Sequence, residues 1–534
     1  MPINIFHRRQ RVAQSLGEKA QQTVAQLAQT LGISKSSAQR HRHAIHSRQA
    51  DPVSAFWSSA AGLEYLVRLM VLVVYCFGIQ GGVGAESISR FMRLAKLDEH
   101  VGSSASAIRS FKQQLIAQIN RYGSIQQSQV SLPASKRLIV GGDETFFNHP
   151  LLVLMELSSG YLFFEVEKRR RTFESWQEEV KTLNLPKDWQ IEAMVSDGAG
   201  ALIKLAVEGF ECVSLPDVFH VLRDLGAPLA RRIGQERARL ERQATKLSER
   251  KDKRRHAKAQ ADYEATLVEQ QQQSEKLAQH HQQYQQAIHS ITTRLHPFRL
   301  DTGEWQLASE LDAQLSVPLT QLETLADSLS LSAQQSAIAT FRTQIPALGQ
   351  GLTQWWCGTM KQLIQRTQDE AIQQWALTCL LPYAYWHQQA SKTRTPALKT
   401  IYQKAEQSAH LRLNAHSISD QFAPDEQQQW HTWAQQQCAC FQRTSSAIEG
   451  RNGQLSRLHH NLRGLSPKTL QAFTIIHNFD TFRADGTCPA QRLFDHSFPS
   501  LPEWLVQNTH QLPLPRKSKM EQPPQSLSSK ALPA

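Results

Sequence analysis

Two acidic side chains stand in sequence settings where a carboxylate needs a partner or a ligand. Asp143 lies inside the apolar stretch LIVGGDETFF, and Asp197 ends the apolar run of MVSDGAGAL. A carboxylate in the middle of a strand costs on the order of several kcal/mol unless it is paired, hydrogen-bonded or bound to a metal ion. Carboxylate oxygens are the hard ligands that Mg²⁺ prefers. These acids are therefore candidates for a metal-dependent active site.

The stretch from Lys136 onward has the pattern of a sheet. RLIVGGDETFF, PLLVLMELSSG and YLFFEVEKRR are short apolar runs separated by turn residues, which predicts three adjacent antiparallel strands. A helix, the strand IEAMVSD, a helix, the strand CVSLPD and a last helix follow, so the predicted order is β-β-β-α-β-α-β-α. In that order the fourth strand pairs beside the first. Asp143 and Asp197 should then converge, with Asp197 at a carboxyl strand end, where ligands bind in α/β sheets.

Acids on strands one and four of this order form the ribonuclease H layout, and here the chain resembles the DDE transposases of bacterial insertion sequences, in the retroviral integrase superfamily. The resemblance covers residues 136–230 and 441–485, and more loosely the N-terminal region. It implies an α/β ribonuclease H-like catalytic core with a mixed five-stranded sheet, and Glu449 as the third acid on a later helix. Because 54 residues separate Asp143 from Asp197 and 252 separate Asp197 from Glu449, it also implies a large all-α insertion before the catalytic helix.

The resemblance further implies the chemistry of the site. In such enzymes Mg²⁺, or Mn²⁺, held by Asp143, Asp197 and Glu449 supports DNA strand cleavage and strand transfer. Two ions about 3.5–4 Å apart stabilise both the attacking and the leaving oxygen. Asp143 is assigned as the bridging ligand, and each of the other two acids completes one metal site. Water, and later a DNA 3′-hydroxyl, is the nucleophile, with no covalent enzyme intermediate.

Two auxiliary residues lie in PDVFHVLRDLG, which resembles the Asp/Cys-x-x-His element near the active site of several transposase groups. Through this resemblance Asp217 and His220 are possible auxiliary residues, with His220 orienting the scissile phosphate or a water molecule. The alternative for His220 is a hydrogen-bonded core histidine. Glu144 is not expected to be a ligand, because strand alternation directs it to the sheet face opposite to Asp143.

Basic residues on or just after the helix of Glu449 are predicted to hold DNA phosphates. Arg451 and Arg457 are the main candidates, in a neighbourhood that also contains Asn452, His459, His460 and Arg463. The Tyr-Arg-Glu-Lys pattern of one transposase group is missing, since Ser445 stands where its arginine would be. The resemblance therefore assigns no individual phosphate ligand.

Positive charge is concentrated at the start of the chain. Residues 1–50 carry eight Arg or Lys against one Glu, which is +7 of the net +12 and the pattern expected for binding a phosphate backbone. Within them TVAQLAQTLGISKSSAQRHRHAI is typical of a helix-turn-helix, with Gly32 in the turn and Ser34 as the cap of the second helix. The alternative is a basic, solvated helix pair. The DNA-reading residues predicted on the second helix are Lys35, Gln39, Arg40 and Arg42.

Two more helical regions are predicted. Residues 51–130 form either another helix-turn-helix, with Arg109 and Lys112 as phosphate ligands, or a helical domain that merely packs. After Gly234 neither Gly nor Pro occurs for 62 residues, and the apolar spacing approximates a coiled coil, as one long helix or as a folded-back hairpin. The first half, 231–262, has a net charge of +7, for which DNA contact and a solvated surface are alternatives.

Composition limits the remaining possibilities. The 534 residues, 40% hydrophobic and 20% charged, suffice for several globular units, and seven scattered cysteines do not form a disulfide scaffold and indicate a reducing compartment. Cys438 and Cys440 with His431 are too few for structural zinc, so small buried residues are favoured. The apolar run 69–79 has 11 residues against the roughly 20 of a membrane span, which favours a buried helix. The start shows no signal peptide pattern.

Together these patterns predict a cytoplasmic, nucleoid-associated bacterial DNA transposase without membrane association. It would act on the terminal repeats of its element and on target DNA as a homodimer or higher oligomer. The alternatives are a DNA-binding regulator with an inactive ribonuclease H-like domain and a structure-selective nuclease on the same core. The predicted domains are two N-terminal helical domains, a core in two parts, the insertion and a C-terminal segment disordered from about residue 516: 1–50, 51–130, 131–230 with 441–485, 231–440 and 486–534.

Overall fold

Among the residues that the structure describes, most are helical, and one five-stranded sheet interrupts the helices. The computed structural model describes residues 12, 15, 22–49, 56–57, 59–130, 135–250 and 257–514. The tail from about residue 516, which is predicted to be disordered, lies outside the described residues. By its internal contacts the chain forms two units: the first combines residues 1–131 with residues 454–534, and the second is residues 132–453.

In the described residues of the first unit the regular secondary structure is all helical, and the unit combines two separate segments of the chain. Tyr122 packs edge-on against Phe479 and Trp504, with ring centroids 5.5 Å apart in each case, and its hydroxyl donates to the Pro499 carbonyl at 2.5 Å. The N-terminal helices and the C-terminal segment therefore share one core, which the predicted boundaries did not anticipate. The helices are α1 (Val24–Leu31), α2 (Lys35–Gln49), α3 (Ala60–Leu72), α4 (Ala85–Leu94), α5 (Ala105–Gln129), α17 (Pro467–Asp480), α18 (Pro489–Phe494) and α19 (Leu501–Asn508).

Helices α1 and α2 form where the sequence predicts two helices and a turn. Thr23 and Gln26 make a capping box at the start of α1, and Gly32 ends that helix with a φ of 63°, a conformation that glycine adopts without steric cost. The Ser34 hydroxyl accepts a hydrogen bond from the Ser37 backbone N–H at 3.2 Å. Leu27 of α1 and Ala38 of α2 are both fully buried in the small core between the helices.

Helix α3 continues into a π-helical stretch, Val73–Gln80, and carries the most apolar part of the chain. In the described part of the chain it is the single helix that is long and apolar enough to cross a membrane. Half of its apolar window is buried within the structure, and its Arg68 pairs with Glu503 at 2.5 Å. A core helix passes the same length and composition test, and this packing is that of the predicted buried helix.

The second unit contains the sheet. Its strand order is β3-β2-β1-β4-β5, in which β1, β2 and β3 pair antiparallel while β4 is parallel to both β1 and β5. This confirms the predicted mixed five-stranded sheet with the fourth strand beside the first. The strands are β1 (Lys136–Phe146), β2 (Pro150–Glu156), β3 (Tyr161–Glu167), β4 (Trp189–Ser196) and β5 (Val213–Pro216).

Eleven α-helices that start within the described residues of the second unit surround or extend the sheet. Two π-helical stretches, Leu205–Gly209 and Ala376–Leu380, follow α7 and α12, and the last helix runs on into residues of the first unit. The helices are α6 (Phe173–Val180), α7 (Gly200–Lys204), α8 (Val218–Arg250), α9 (Ala257–Arg294), α10 (Leu311–Ser328), α11 (Ser332–Arg366), α12 (Glu370–Trp375), α13 (Leu381–Lys392), α14 (Pro396–Asn414), α15 (Pro424–Ala439) and α16 (Ser446–Leu462).

Different helices cover the two faces of the sheet. On one face Trp176 of α6 and Leu202 of α7 are fully buried against Val140 and Met194. On the other face α16 approaches closely, since a Cβ atom added to Gly141 would lie 2.8 Å from the Ile448 Cδ1 atom. Glycine at this position in β1 therefore allows the helix of Glu449 to lie directly over the strand.

Helices α8 and α9 form an antiparallel hairpin, so the folded-back alternative of the predicted coiled coil is the one observed. The Gln270 side chain of α9 donates to the Leu240 carbonyl of α8 at 3.1 Å, and Leu225 of α8 shares a buried core with Ile291 of α9. Helix α8 passes without interruption through residue 230. The predicted boundary between core and insertion thus falls inside a helix.

Replacing Trp176 with Ala is expected to lower the free energy of unfolding of the second unit by about 3–5 kcal/mol, because a fully buried aromatic side chain leaves a large cavity. Chemical denaturation followed by circular dichroism measures the change. The matched control is Leu411→Ala in α14, where the leucine is 71% exposed and the loss should stay below about 0.5 kcal/mol. Equal losses for the two variants would contradict the packing of this face.

Candidate active site

The two aspartates lie at the same level of two adjacent parallel strands. Gly141 of β1 pairs with Val195 of β4, and each aspartate follows its member of this pair by two residues. Parallel strands are about 4.8 Å apart, and residues two positions apart share a face. Asp197 stands one residue past the end of β4, so the two aspartates are neighbours, and the charge of Asp197 reaches Asp143, as the predicted convergence requires.

Helix α16 brings the third acid to that face. Its Ile448 packs over Gly141, and its Asn452 side chain donates through Nδ2 to the Asp143 Oδ2 atom at 2.9 Å. Glu449 lies between these two contacts along the helix and is partly exposed. Glu144 behaves as predicted, because it lies on the opposite face and accepts a hydrogen bond from the Trp176 indole at 3.2 Å.

The carboxyl group of Asp143 is influenced by the other two acids. Burial raises the pKa of Asp143 from its ordinary value of 3.8 to about 6. The negative charges of Asp197 and Glu449 raise this pKa as well, while His220 and a hydrogen bond of 2.8 Å from the Glu144 backbone N–H lower it. Asp143 thus carries its charge in a place that is both poorly solvated and already negative.

His220 lies between Glu449 and Asp217. Its Nε2 atom is 2.8 Å from the Glu449 Oε1 atom, whereas its Nδ1 atom is 3.7 Å from Asp217. Of the two interpretations of this histidine, contact with the acid cluster is the one that the geometry favours. Its role in a reaction remains a prediction.

Asp217 is fully buried and connects the starts of two helices. One carboxylate oxygen accepts from the Phe219 backbone N–H at 2.7 Å, which caps α8. The other accepts from the Ser445 backbone N–H at 2.8 Å and from the Ser445 hydroxyl, just before α16 begins. Asp217 is therefore a structural residue that fixes where the helix of Glu449 starts.

The donor atoms at this site fit a divalent metal ion chemically. Asp143, Asp197 and Glu449 supply hard oxygens, and their mutual repulsion is the kind that a cation relieves. Two buried atoms beside them, His220 Nδ1 and Asn452 Oδ1, have no hydrogen-bond partner in the described part of the chain. As they stand, however, no three His, Cys, Asp or Glu side chains among the described residues are grouped closely enough to hold one ion.

The prediction that Arg451 contacts DNA is wrong. Its guanidinium group is buried and forms a bidentate ion pair with Glu165 of β3, at 2.7 and 2.8 Å. Side chains at this position of α16 point into the sheet, so no phosphate can reach them. Arg457, six residues further on, is exposed.

Two basic residues of the first unit have partners within it. Lys112 is half-buried, which lowers its pKa, and its amine donates to the Gly78 carbonyl at 2.6 Å. Arg109 forms an ion pair with Glu86 and is 60% exposed. The phosphate-binding alternative for residues 51–130 thus loses Lys112 but keeps Arg109.

The remaining predicted residues are found as follows. Lys35, Gln39 and Arg40 of α2 are exposed, and Arg42 is half-buried, with its guanidinium donating to the Gln22 carbonyl at 3.2 Å. Cys438 is fully buried and is a free thiol that donates to a backbone carbonyl, which agrees with the favoured structural interpretation. Burial also raises the pKa of Cys440 to about 11.

Glu165 and Asn452 are the site residues that sequence reasoning did not assign. Glu165 stands in the apolar strand YLFFEVEKRR, so the argument used for Asp143 applies to it equally. Asn452 follows Glu449 by three residues, a spacing that places both side chains on neighbouring positions of a helix.

In the first unit, Arg90 and Arg93 are exposed on α4, and no ion pair involves them in the described residues.

Comparison with known proteins adds one match. Residues 376–521 match the family described as a family of unknown function, DUF6399. The matched stretch includes Glu449 and its helix but neither aspartate. No curated protein and no solved structure matches the chain.

The raised pKa of Asp143 has a consequence for stability. A carboxyl group whose pKa rises on folding contributes stability below the unfolded value, near pH 4, and loses it as pH rises through about 6. Asp143→Asn should therefore stabilise the metal-free protein at pH 7, by on the order of 1–3 kcal/mol, and should have little effect below about pH 4.

Thermal unfolding in the presence of a chelator, measured from pH 4 to pH 7.5, checks this dependence. Asp188→Asn removes an exposed carboxylate from the same unit and is the matched control. If the Asp143→Asn variant is no more stable than the wild type at pH 7, the charge of Asp143 does not destabilise the folded protein.

Proposed function

We propose that this protein is a DNA transposase of the DDE type with a ribonuclease H-like core. The observation that carries the proposal is the level placement of Asp143 and Asp197 on adjacent parallel strands, with the helix of Glu449 over the same face. Strand order β3-β2-β1-β4-β5 supports the ribonuclease H-like assignment, because it puts acids one and two side by side at the sheet centre. The substrate would be the terminal repeats of an insertion sequence and a target DNA.

The proposed cofactor is Mg²⁺, with Mn²⁺ as a substitute, and Asp143, Asp197 and Glu449 would hold it. Bound divalent ions stabilise negative charge on the attacking and leaving oxygens of a phosphodiester. The other residues have orienting roles. Asn452 holds one oxygen of Asp143 at 2.9 Å, and His220 holds one oxygen of Glu449 at 2.8 Å, so that both carboxylates keep fixed directions.

The side of α16 beside Glu449 that carries Gly450 and Gly453 is exposed. A Cβ atom added to Gly450 or Gly453 would meet nothing within 4 Å, so this side of α16 faces free space. Arg457 is exposed further along the same helix and supports phosphate contact there. A DNA backbone could therefore approach the acids along the glycine side of α16.

The N-terminal helix pair is the proposed end-recognition element, a helix-turn-helix. Support comes from the exposed side chains of Lys35, Gln39 and Arg40 on α2 and from the surplus of positive charge in residues 1–50. Because two DNA ends must be joined in one complex, a homodimer or higher oligomer on DNA is part of the proposal. The compartment would be the bacterial cytoplasm, at the nucleoid.

Purified protein should nick DNA that contains the sequences flanking its coding region when Mg²⁺ is added. Asp143→Asn, Asp197→Asn and Glu449→Gln should each reduce cleavage by at least about 10³-fold. Each variant removes a carboxylate that would hold the Mg²⁺ needed to stabilise charge on the reacting phosphate. Denaturing gels locate and quantify the nick. A gel-shift assay should show nearly unchanged DNA binding.

Asp188→Asn is the matched control for cleavage, since it removes an exposed acid of the same unit away from the site. Retained cleavage by any of the three site variants would remove that residue from the catalytic set. Binding without any cleavage by the wild type would instead favour a DNA-binding regulator, and cleavage of branched DNA without end specificity would favour a nuclease.

Arg40→Ala should weaken binding to end DNA and should reduce the slope of log affinity against log salt by about 1, because one phosphate contact is lost. Fluorescence anisotropy at several salt concentrations measures this slope. Lys181→Ala, an exposed cation next to the helix on the other face of the sheet, is the matched control. An unchanged slope for Arg40→Ala would exclude this residue from the DNA interface.

A further inference from the structure

A buried ion pair ties the helix of Glu449 to β3, the edge strand of the sheet. The Arg451 Nε and Nη2 atoms lie 2.7 and 2.8 Å from the two oxygens of Glu165, and the side chains are 3% and 0% exposed. Such a bidentate contact fixes direction as well as distance. Arg451 therefore holds α16 in one orientation above β3.

The anchor of this pair stands in the same row of the sheet as Asp143. Asp143 of β1 pairs with Val153 of β2, and Val153 pairs with Glu165 of β3. Residues paired across a sheet share a face, and two strand spacings amount to about 10 Å. Asp143 and Glu165 thus lie about 10 Å apart in one row of the sheet, and α16 packs over both.

Helix α16 is attached to both points by consecutive residues. Arg451 reaches Glu165, and Asn452 donates to Asp143 at 2.9 Å. Glu449 precedes these two residues by less than one helical turn, so its position follows from theirs.

The glycines around Arg451 and Asn452 weaken the helix, so these two contacts are needed to hold it in place. Gly450 and Gly453 flank Arg451 and Asn452 on both sides, and glycine destabilises a helix interior relative to alanine. Neither glycine is needed for close packing, since an added Cβ atom would meet open space at both. This turn of α16 is weakened by its own sequence, and contacts with the sheet must hold it.

We propose that Glu165, Arg451 and Asn452 form a clamp that sets the position of Glu449 relative to Asp143, and that Arg451 and Asn452 are positioning residues of the catalytic centre. The catalytic part of this inference rests on the proposed function. A buried ion pair adds little stability compared with apolar residues of similar size, so its contribution here is a fixed geometry. The clamp acts through the helix and does not touch DNA.

The test replaces the pair by apolar residues of similar volume, in the double variant Glu165→Leu with Arg451→Met. This variant should keep its unfolding temperature within a few degrees, because no charge is left unpaired. Hydrogen exchange of the backbone amides at 446–453 should become at least about tenfold faster, and Mg²⁺-dependent cleavage should fall at least about tenfold with a higher half-saturating Mg²⁺ concentration.

The matched control uses the ion pair between Arg137 and Glu192, which is also bidentate, at 2.6 and 2.8 Å, and links β1 to β4. Its apolar double variant, Arg137→Met with Glu192→Leu, should leave exchange at 446–453 unchanged. Adding Gly450→Ala and Gly453→Ala to the clamp variant should restore part of the protection, since alanine stiffens the helix and fits in open space.

Arg451→Lys provides a second route if the apolar variant does not fold. Lysine keeps the charge but cannot make the bidentate contact, so exchange at 446–453 should rise to an intermediate level. Asn452→Ala should lower cleavage while the ion pair and the unfolding temperature are retained. If the folded clamp variants exchange their backbone amides at 446–453 as slowly as the wild type, the proposal is overturned.

Exchange also separates this inference from the proposed function. If the wild-type protein cleaves no DNA, the transposase proposal fails, yet faster exchange in the clamp variants would still demonstrate the clamp. If the wild type cleaves and the clamp variants cleave equally well, the clamp has no part in catalysis.

Discussion

The charge of Asp143 is the constraint on which the arrangement of the second unit depends. This carboxylate stands in a central strand, is poorly solvated and has two further acids beside it. The surrounding structure offsets this cost with a backbone N–H from Glu144 and an amide from Asn452, while His220 faces Glu449. A half-buried acid with a raised pKa beside two other acids is typical of a site whose chemistry requires it.

The strand arrangement and the pairing of the two aspartates were predictable because each depends on local patterns. Alternation of apolar residues sets which way Asp143 and Glu144 point, and turn residues set the order of the strands. Once β4 lies beside β1, the position of Asp197 follows. The helix of Glu449 was predictable from its apolar side, but its attachment to the sheet was not.

Arg451 shows why the rest could not be predicted. In the sequence it is one of several basic residues after Glu449, and nothing local distinguishes it from the exposed Arg457. Its burial depends on Glu165, which is 286 residues away in the chain. Lys112 was misassigned for the same reason, because its partner is a backbone carbonyl of another helix. Long-range pairing decides whether a cation faces solvent, and sequence spacing does not reveal it.

The first unit joins helices from both ends of the chain around Tyr122, Phe479 and Trp504. During synthesis α5 leaves the ribosome long before α17 and α19 exist, so its apolar side stays uncovered until about 350 further residues have been added. The second unit is contiguous in the chain and can complete its own core in that interval. The first unit can therefore complete its core only after residues 467–508 have been translated.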